Sequence, residues 1–144
     1  MAIRKVFFDA NIFNDIFDSN RSLHTVSKKA FALSMEKQFQ LFTSCDIATN
    51  IYYITEKYTN KENALNALEV VEKIAHIIPF GAKEMRQTIA LMREDEAYKD
   101  FEDTIQYILA YNTGCDVIIS NDKRFVSKEL PCMNAESFVR ECLS

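Results

Sequence analysis

Residues 3–11 read IRKVFFDAN. The run IRKVFF is short and largely apolar, as expected of a strand buried in a sheet, and it ends on a carboxylate, Asp9. Desolvating a carboxylate is costly unless a neighbouring group takes up its charge. Asn11, two residues on, is short and bifunctional, able to fix that carboxylate or to cap the turn that follows.

Working outward, QLFTS (40–44), HIIPF (76–80, stopped by Pro79 and Gly81) and DVIIS (116–120) read as further strands, and PCM (131–133) as a short edge strand. Between them the spacing is helical. IFNDIF (12–17) makes a short turn of helix, and longer helices are expected at about 22–37, 46–58, 61–75, 82–95, 100–113 and 135–142. The expected inward stripes are Val26, Ala30 and Leu33, then Ile47, Ile51, Ile54 and Tyr58, then Leu65, Leu68, Val71 and Ile74. Asn112-Thr113-Gly114 is a C-terminal stop for its helix. Strands separated by helices predict an α/β fold with a parallel sheet covered on both faces. In such sheets ligands bind beyond the carboxyl ends of the strands.

The chain has 144 residues, of which 48% are hydrophobic and 26% charged, consistent with one domain and no linker. That size buries about 70% of the unfolded chain's surface, enough for a core without staples. Cys45, Cys115, Cys132 and Cys142 show no CxxC spacing, and with only His24 and His76 a zinc site is not expected. All four thiols are expected to pack as small apolar groups in a reducing compartment. No apolar run approaches the roughly 20 residues that cross a bilayer, so no membrane partner and a cytoplasmic location are expected. The net charge of −4 gives no general attraction for a polyanion, which would need a local basic patch.

The acids fall at the strand ends. Asp9 closes the first strand, and Asp122 follows the fourth by two residues in IISND. In DFEDTIQY, Asp100 and Asp103 share one helical face near a helix start. Three or four carboxylates meeting there repel one another, by about 4 kcal/mol per pair at about 4 Å and an effective dielectric of about 20. A divalent cation removes that repulsion, and an all-oxygen site suits Mg²⁺ or Mn²⁺. Asp100 also suits an N-cap, as does Asp46, while Glu102 is expected to face solvent. Arg21 with Lys28 and Lys29, and Lys123 with Arg124 and Lys128, are the basic groups available to a phosphate backbone. The second group is favoured because it adjoins Asp122. Tyr52 and Tyr53 are expected in a core or dimer contact, with base stacking as the alternative, and His24 at the surface.

The motifs VFFDAN, TSCDIATNIYYI, DFEDTIQYILAYNTGCDVIISND and the trailing Phe125 resemble the PIN-domain family. Within it they are most similar to single-domain ribonucleases that serve as toxins in bacterial toxin–antitoxin pairs. The likeness runs nearly the whole chain, in order, to ESFV. It implies a three-layer α/β/α fold with a short, mostly parallel sheet, and an endoribonuclease that depends on Mg²⁺ or Mn²⁺. By motif, Asp9, Asp103 and Asp122 match the family's acids, Asn11 its small polar residue and Ser120 its hydroxyl. The resemblance also implies an RNA substrate, a small antitoxin partner and a homodimer. One position departs: the family usually has a glutamate where this chain has Asn50, and an amide brings no charge and cannot act as a base. Two alternatives follow. One is a PIN-like module weakened in catalysis that binds RNA or protein. The other is a receiver-type phosphotransfer domain, which the chain fits poorly because it lacks that family's late-strand lysine and adjacent acid pair.

Overall fold

The structure, a computed structural model, describes residues 2–144. In chain order the elements are β1 (Lys5–Phe8), α1 (Ala10–Phe17), α2 (His24–Glu36), β2 (Gln40–Ser44), α3 (Cys45–Tyr58), α4 (Lys61–Ile74) and β3 (Ala75–Ile78). There follow α5 (Ala82–Glu94), α6 (Phe101–Thr113), β4 (Val117–Ile119), β5 (Cys132–Met133) and α7 (Ala135–Leu143).

The five strands form one sheet in the order β3-β2-β1-β4-β5. Every pairing is parallel, so the sheet is more regular than the mostly parallel one expected. Val6 lies opposite Leu41 on one side and Val117 on the other. From β1 the chain steps outward through β2 to β3, then returns past β1 to reach β4. Right-handed crossovers place connections running in opposite directions on opposite faces of a sheet. Accordingly α1, α2, α3, α4 and α7 pack against one another in one layer, and α5 packs with α6 in the other. This is the three-layer α/β/α arrangement. The reversal falls between β1 and β4, whose onward connections diverge and leave a crevice at their carboxyl ends.

The middle strands are buried on both sides: Val6, Phe7, Phe8, Val117, Ile118 and Ile119 are wholly inaccessible. Phe8 meets Phe13 at 5.6 Å and the edge of Phe138 at 6.5 Å between ring centroids, which ties α1 and α7 to the sheet. Left-handed Gly114 (φ 79°) ends α6, where a side chain would be strained.

Several local expectations shift. On α4 Val71 is buried as expected and Leu68 and Ile74 pack half-buried against the core, but the fully buried positions beside them are Ala64 and Ala67, and Leu65 is exposed. Small alanines let α4 lie close against α3, while the longer leucine splays toward water. On α3 the stripe is Ile47, Ile51 and Thr55, and Tyr58 is exposed. Tyr53 is exposed as well, so the tyrosine pair lies outside the core. The cap of α3 is Ser44, whose Oγ accepts from the Ile47 N–H at 3.1 Å, so Asp46 is free of that role. Strand β3 stops before Pro79, which lacks an N–H to donate. Cys115 and Cys142 are buried as expected, whereas Cys45 and Cys132 are exposed. Among the described residues, no helix is long and apolar enough to cross a membrane.

Candidate active site

Asp9 sits where β1 turns into α1. It caps that helix, and its carboxylate accepts from the Ala10 N–H at 2.9 Å, from Asn11 Nδ2 at 3.1 Å and from Ser120 Oγ at 2.8 Å. The hydroxyl comes from the end of the neighbouring strand, so the β1–β4 pairing itself sets this contact. Burial drives the Asp9 carboxyl above its ordinary pKa; the Ser120, Ala10 and Asn11 hydrogen bonds oppose this, and the nearby Asp122 adds to it.

Asp103 lies in the first turn of α6. Asp100 caps that helix as expected, accepting from the Asp103 N–H at 2.9 Å. Asp103 is pushed up to about 7, first by burial and then by the charges of Asp9, Asp100, Asp122 and Glu102. Asp122 leaves the loop after β4, its backbone N–H donating to Ser120 Oγ at 3.2 Å. Arg124 Nε lies 3.3 Å from the Asp122 carboxylate, but its side chain is 91% exposed, so the pair contributes little.

Asp9, Asp103 and Asp122 line one cavity of about 790 Å³, together with Asp100, Glu102, Asn11, Asn14 and Asn50. Glu102 therefore faces this cavity rather than open solvent alone, and burial followed by the charge of Asp46 raises its pKa. The cations lining the cavity are Lys99 and Arg124, against five carboxylates. Among the described residues, no group of three acid, histidine or cysteine side chains is gathered closely enough to form a metal cluster by itself. The acids line a shared cavity, reaching it from a strand end, a helix start and a loop.

Asn50 reaches this cavity from α3, and its Oδ1 accepts from Asn14 Nδ2 at 3.1 Å. Asn14 Oδ1 is then buried without a partner, as is Gln106 Oε1, whose Nε2 donates to Asp46 at 3.2 Å. Of the basic residues, Arg21 places Nε 2.8 Å from buried Asp15, Lys128 pairs with Asp95 at 2.7 Å, and Lys123 is exposed beside Asp122. His24 is half-buried, its Nδ1 lying 2.8 Å from the Asp15 carbonyl.

Sequence reasoning missed a support beneath the site. Asn121 donates through Nδ2 to Asp15 at 3.0 Å and to Ser27 at 3.1 Å, and its Oδ1 accepts from the Ala135 N–H at 2.9 Å. Its own N–H donates to Asn11 Oδ1 at 2.9 Å, and Asn11 in turn holds Asp9. One amide thus connects α1, α2, α7 and the candidate reaction centre. Asp15 and Asn121 carried only the weak signal of polar residues beside apolar runs; Lys99 carried none.

The comparisons agree with this architecture. Residues 5–124 match the family described as PIN domain. The chain is 42% identical to "Ribonuclease VapC1" of Aquifex aeolicus (strain VF5) over 138 residues, which is 96% of this chain and 95% of that protein. Two solved structures share the fold at low identity. Mycobacterium tuberculosis VapC20, described as a sarcin-ricin loop cleaving toxin, superposes with a TM-score of 0.71 at 16% identity, over 83% of this chain and 92% of that one. Rickettsia felis VapBC2, bound to a DNA fragment from its promoter, gives 0.69 at 18% identity, over 90% and 98%. A parallel sheet that reverses beside paired acids, and a family match spanning all of those acids, lead to one assignment: this chain belongs to the PIN-domain family.

Proposed function

We propose that the chain, as one domain over residues 1–144, is a metal-dependent endoribonuclease that hydrolyses RNA phosphodiester bonds, and the toxin of a toxin–antitoxin pair. The observation that carries this reading is the ring of five carboxylates around a cavity at the sheet's reversal point. Asp9, Asp103 and Asp122, with Asp100 beside them, would hold Mg²⁺ or Mn²⁺. The donor set fits: it is all oxygen, it is overcrowded with negative charge, and it is wide enough for an ion that keeps several waters and takes one or two carboxylates. Bound there, such an ion lowers the pKa of attacking water and offsets charge growing on the phosphoryl oxygens.

The chain's own residues do the rest. Ser120 and Asn11 hold one Asp9 oxygen, leaving the carboxylate fixed in its direction. Asp103, pushed up to about 7 by burial and by the surrounding acids, is a carboxyl whose ionised form a bound cation would favour. Asn50, held by Asn14, presents its amide group to the cavity in place of a charge. Lys123, Arg124 and Arg21 stand where an RNA backbone would pass.

Beside the acidic cavity lies a second of about 440 Å³, lined by Tyr53, Ile54, Phe80 and Phe101 and sharing Asn50 and Glu102 with it. An antitoxin tail with an apolar anchor and a cation would fit both. Exposed Met85, Ile89 and Tyr111 on α5 and α6 supply an apolar face for a homodimer.

The test is a calorimetric titration with Mn²⁺ alongside cleavage of an end-labelled RNA. We expect binding of the ion, and cleavage that chelation abolishes. RNA cleavage undiminished in excess chelator would remove the metal from this reading.

A further inference from the structure

The acidic cavity does not end at Asp122. That residue also lines a cavity of about 440 Å³ with Asn11, Asp15 and Arg21, and another of about 790 Å³ between α2, the loop after β4 and the start of α7. Leu23 and Asn121 line both of these, so the three form one trough around Asp122. Its character changes along its length. Carboxylates crowd the first part. In the middle stands Arg21, whose Nε is held by Asp15 while the side chain stays 34% exposed. The far part is apolar, with Leu23 exposed and Val26, Phe125 and Met133 half-buried. Lys29 and Lys123 rim that far part, and neither forms an ion pair among the described residues.

We propose that the far cavity is a nucleoside subsite, taking the base next to the phosphate that faces the carboxylates; this rests on the nuclease reading above. RNA recognition works largely by splaying single-stranded bases onto aromatic faces, while cations grip the intervening phosphates. Here half-buried Phe125 would supply an aromatic face and exposed Leu23 an apolar wall, and Arg21 lines the cavity that joins the two, where a connecting phosphate would pass. Asn134 adds selectivity. Its Oδ1 caps α7 by accepting from the Ser137 N–H at 2.8 Å, which leaves Nδ2 to donate to a base edge. The volume lies within the range of small-ligand sites. Unpaired lysines at the rim, and continuity with the acidic cavity, favour a nucleotide over a protein segment. Glu136, also at the rim, faces Arg140 at 3.4 Å.

The test titrates the full chain, with chelator present, against the four nucleoside 5′-monophosphates while following methyl resonances by NMR. Val26, Met133 and Val139 are expected to shift with at least one nucleotide. Leu23→Glu and Lys123→Glu, both at exposed positions, should each weaken binding about tenfold, while Phe125→Tyr keeps it and Phe125→Leu weakens it. In a pooled-sequence RNA cleavage assay, Leu23→Glu should also change which base flanks the cut. Methyls that stay still with every nucleotide, or a flanking-base preference identical in Leu23→Glu and wild type, overturn the subsite. So does a protein partner that covers this face when no nucleotide binds there. Cleavage that persists alongside such a result leaves the nuclease standing. Nucleotide binding at these methyls in a protein that cuts no RNA sinks the nuclease, and with it the subsite's place beside a scissile phosphate, and leaves a nucleotide-binding cavity. Should Phe125→Leu fail to fold, Leu23→Glu decides.

Discussion

Asp9 and Asp15 are buried to nearly the same degree, at 5% and 3% exposure, one capping α1 and the other lying along it. Their surroundings differ in one respect. Asp15 receives Arg21 Nε at 2.8 Å, Ser27 Oγ at 2.9 Å and Asn121 Nδ2 at 3.0 Å, so its charge has a resident counter-ion. Asp9 receives an N–H, an amide and a hydroxyl, all uncharged, and shares its cavity with four further acids. Burial costs a carboxylate the same solvation in both places, but only Asp15 recovers it within the protein. A buried charge with its partner built in serves the fold. One held by neutral donors among like charges is the arrangement that the proposed cation would relieve.

Breaking this contrast gives the largest effect. Asp9→Asn keeps the shape while removing the charge and one accepting oxygen, so cleavage should fall about 10³-fold, as losing several kcal/mol of charge stabilisation implies, with Tm changed little because relief of like-charge crowding offsets the lost hydrogen bond. Asp15→Ala should do the reverse. It strands Arg21 and two buried donors at a cost of about 2 kcal/mol, moderated because Arg21 can turn to solvent, and lowers Tm by about 4–8 °C. Thermal melts and initial rates of both variants decide it; an unfolded Asp9→Asn beside an undisturbed Asp15→Ala would reverse the assignment of roles.

The two aspartates communicate through Asn121, which bonds to Asp15 and, through Asn11, to Asp9. Asn121→Ala should lower kcat about 10–100-fold while leaving KM for RNA nearly unchanged, the pattern of a positioning residue. A loss confined to KM would point to substrate contact instead.

How this pairing stayed hidden shows what a linear reading can reach. Short apolar runs ending in acids, separated by helical spacing, are local patterns, and β1, β2 and α3 followed from them within a residue or two. Asp9 and Asp122 were legible because parallel order puts strand ends on one rim, and Asp103 because it opens a helix within a motif resembling the family's. The bonds from Asn121 to Asp15 and Ser27 join distant segments, and nothing in SND distinguishes a keystone amide from ordinary turn chemistry. On α4 Leu68, Val71 and Ile74 point inward as read, but Leu65 was favoured over Ala64 because leucine spacing fits a helix face equally well, and only packing against α3 favours the alanines. Lys99 was passed over within a polar run whose path around the cavity depends on tertiary structure.

Smaller effects sharpen the contrast. Asp103 binds its proton more tightly in the folded chain, near pH 7, than at the ordinary value of 3.8. The metal-free protein should therefore lose stability as pH rises through that window, since its ionised form is the crowded one. With the group half-buried and partly screened, the fall in Tm amounts to a few degrees. Asp103→Asn should flatten the profile, and Mn²⁺ should restore the wild type; a wild-type Tm that climbs across this range contradicts the placement. Asn50→Glu should change least, under about threefold in kcat, because Asn50 is already engaged by Asn14 and five carboxylates already ring the cavity. A large gain would identify the missing charge as the limit on this chain.

The reversal of strand order between β1 and β4 also has an evolutionary consequence. The carboxylates of the proposed reaction centre are set by the ends of β1 and β4 and the start of α6, next to the hydrophobic interior, while the outer trough is walled by the approach to α2 and the long connection leading into β5. If the trough selects the base as proposed, a lineage built on this plan can change which RNA it cuts by editing peripheral segments, and leave the carboxylates untouched.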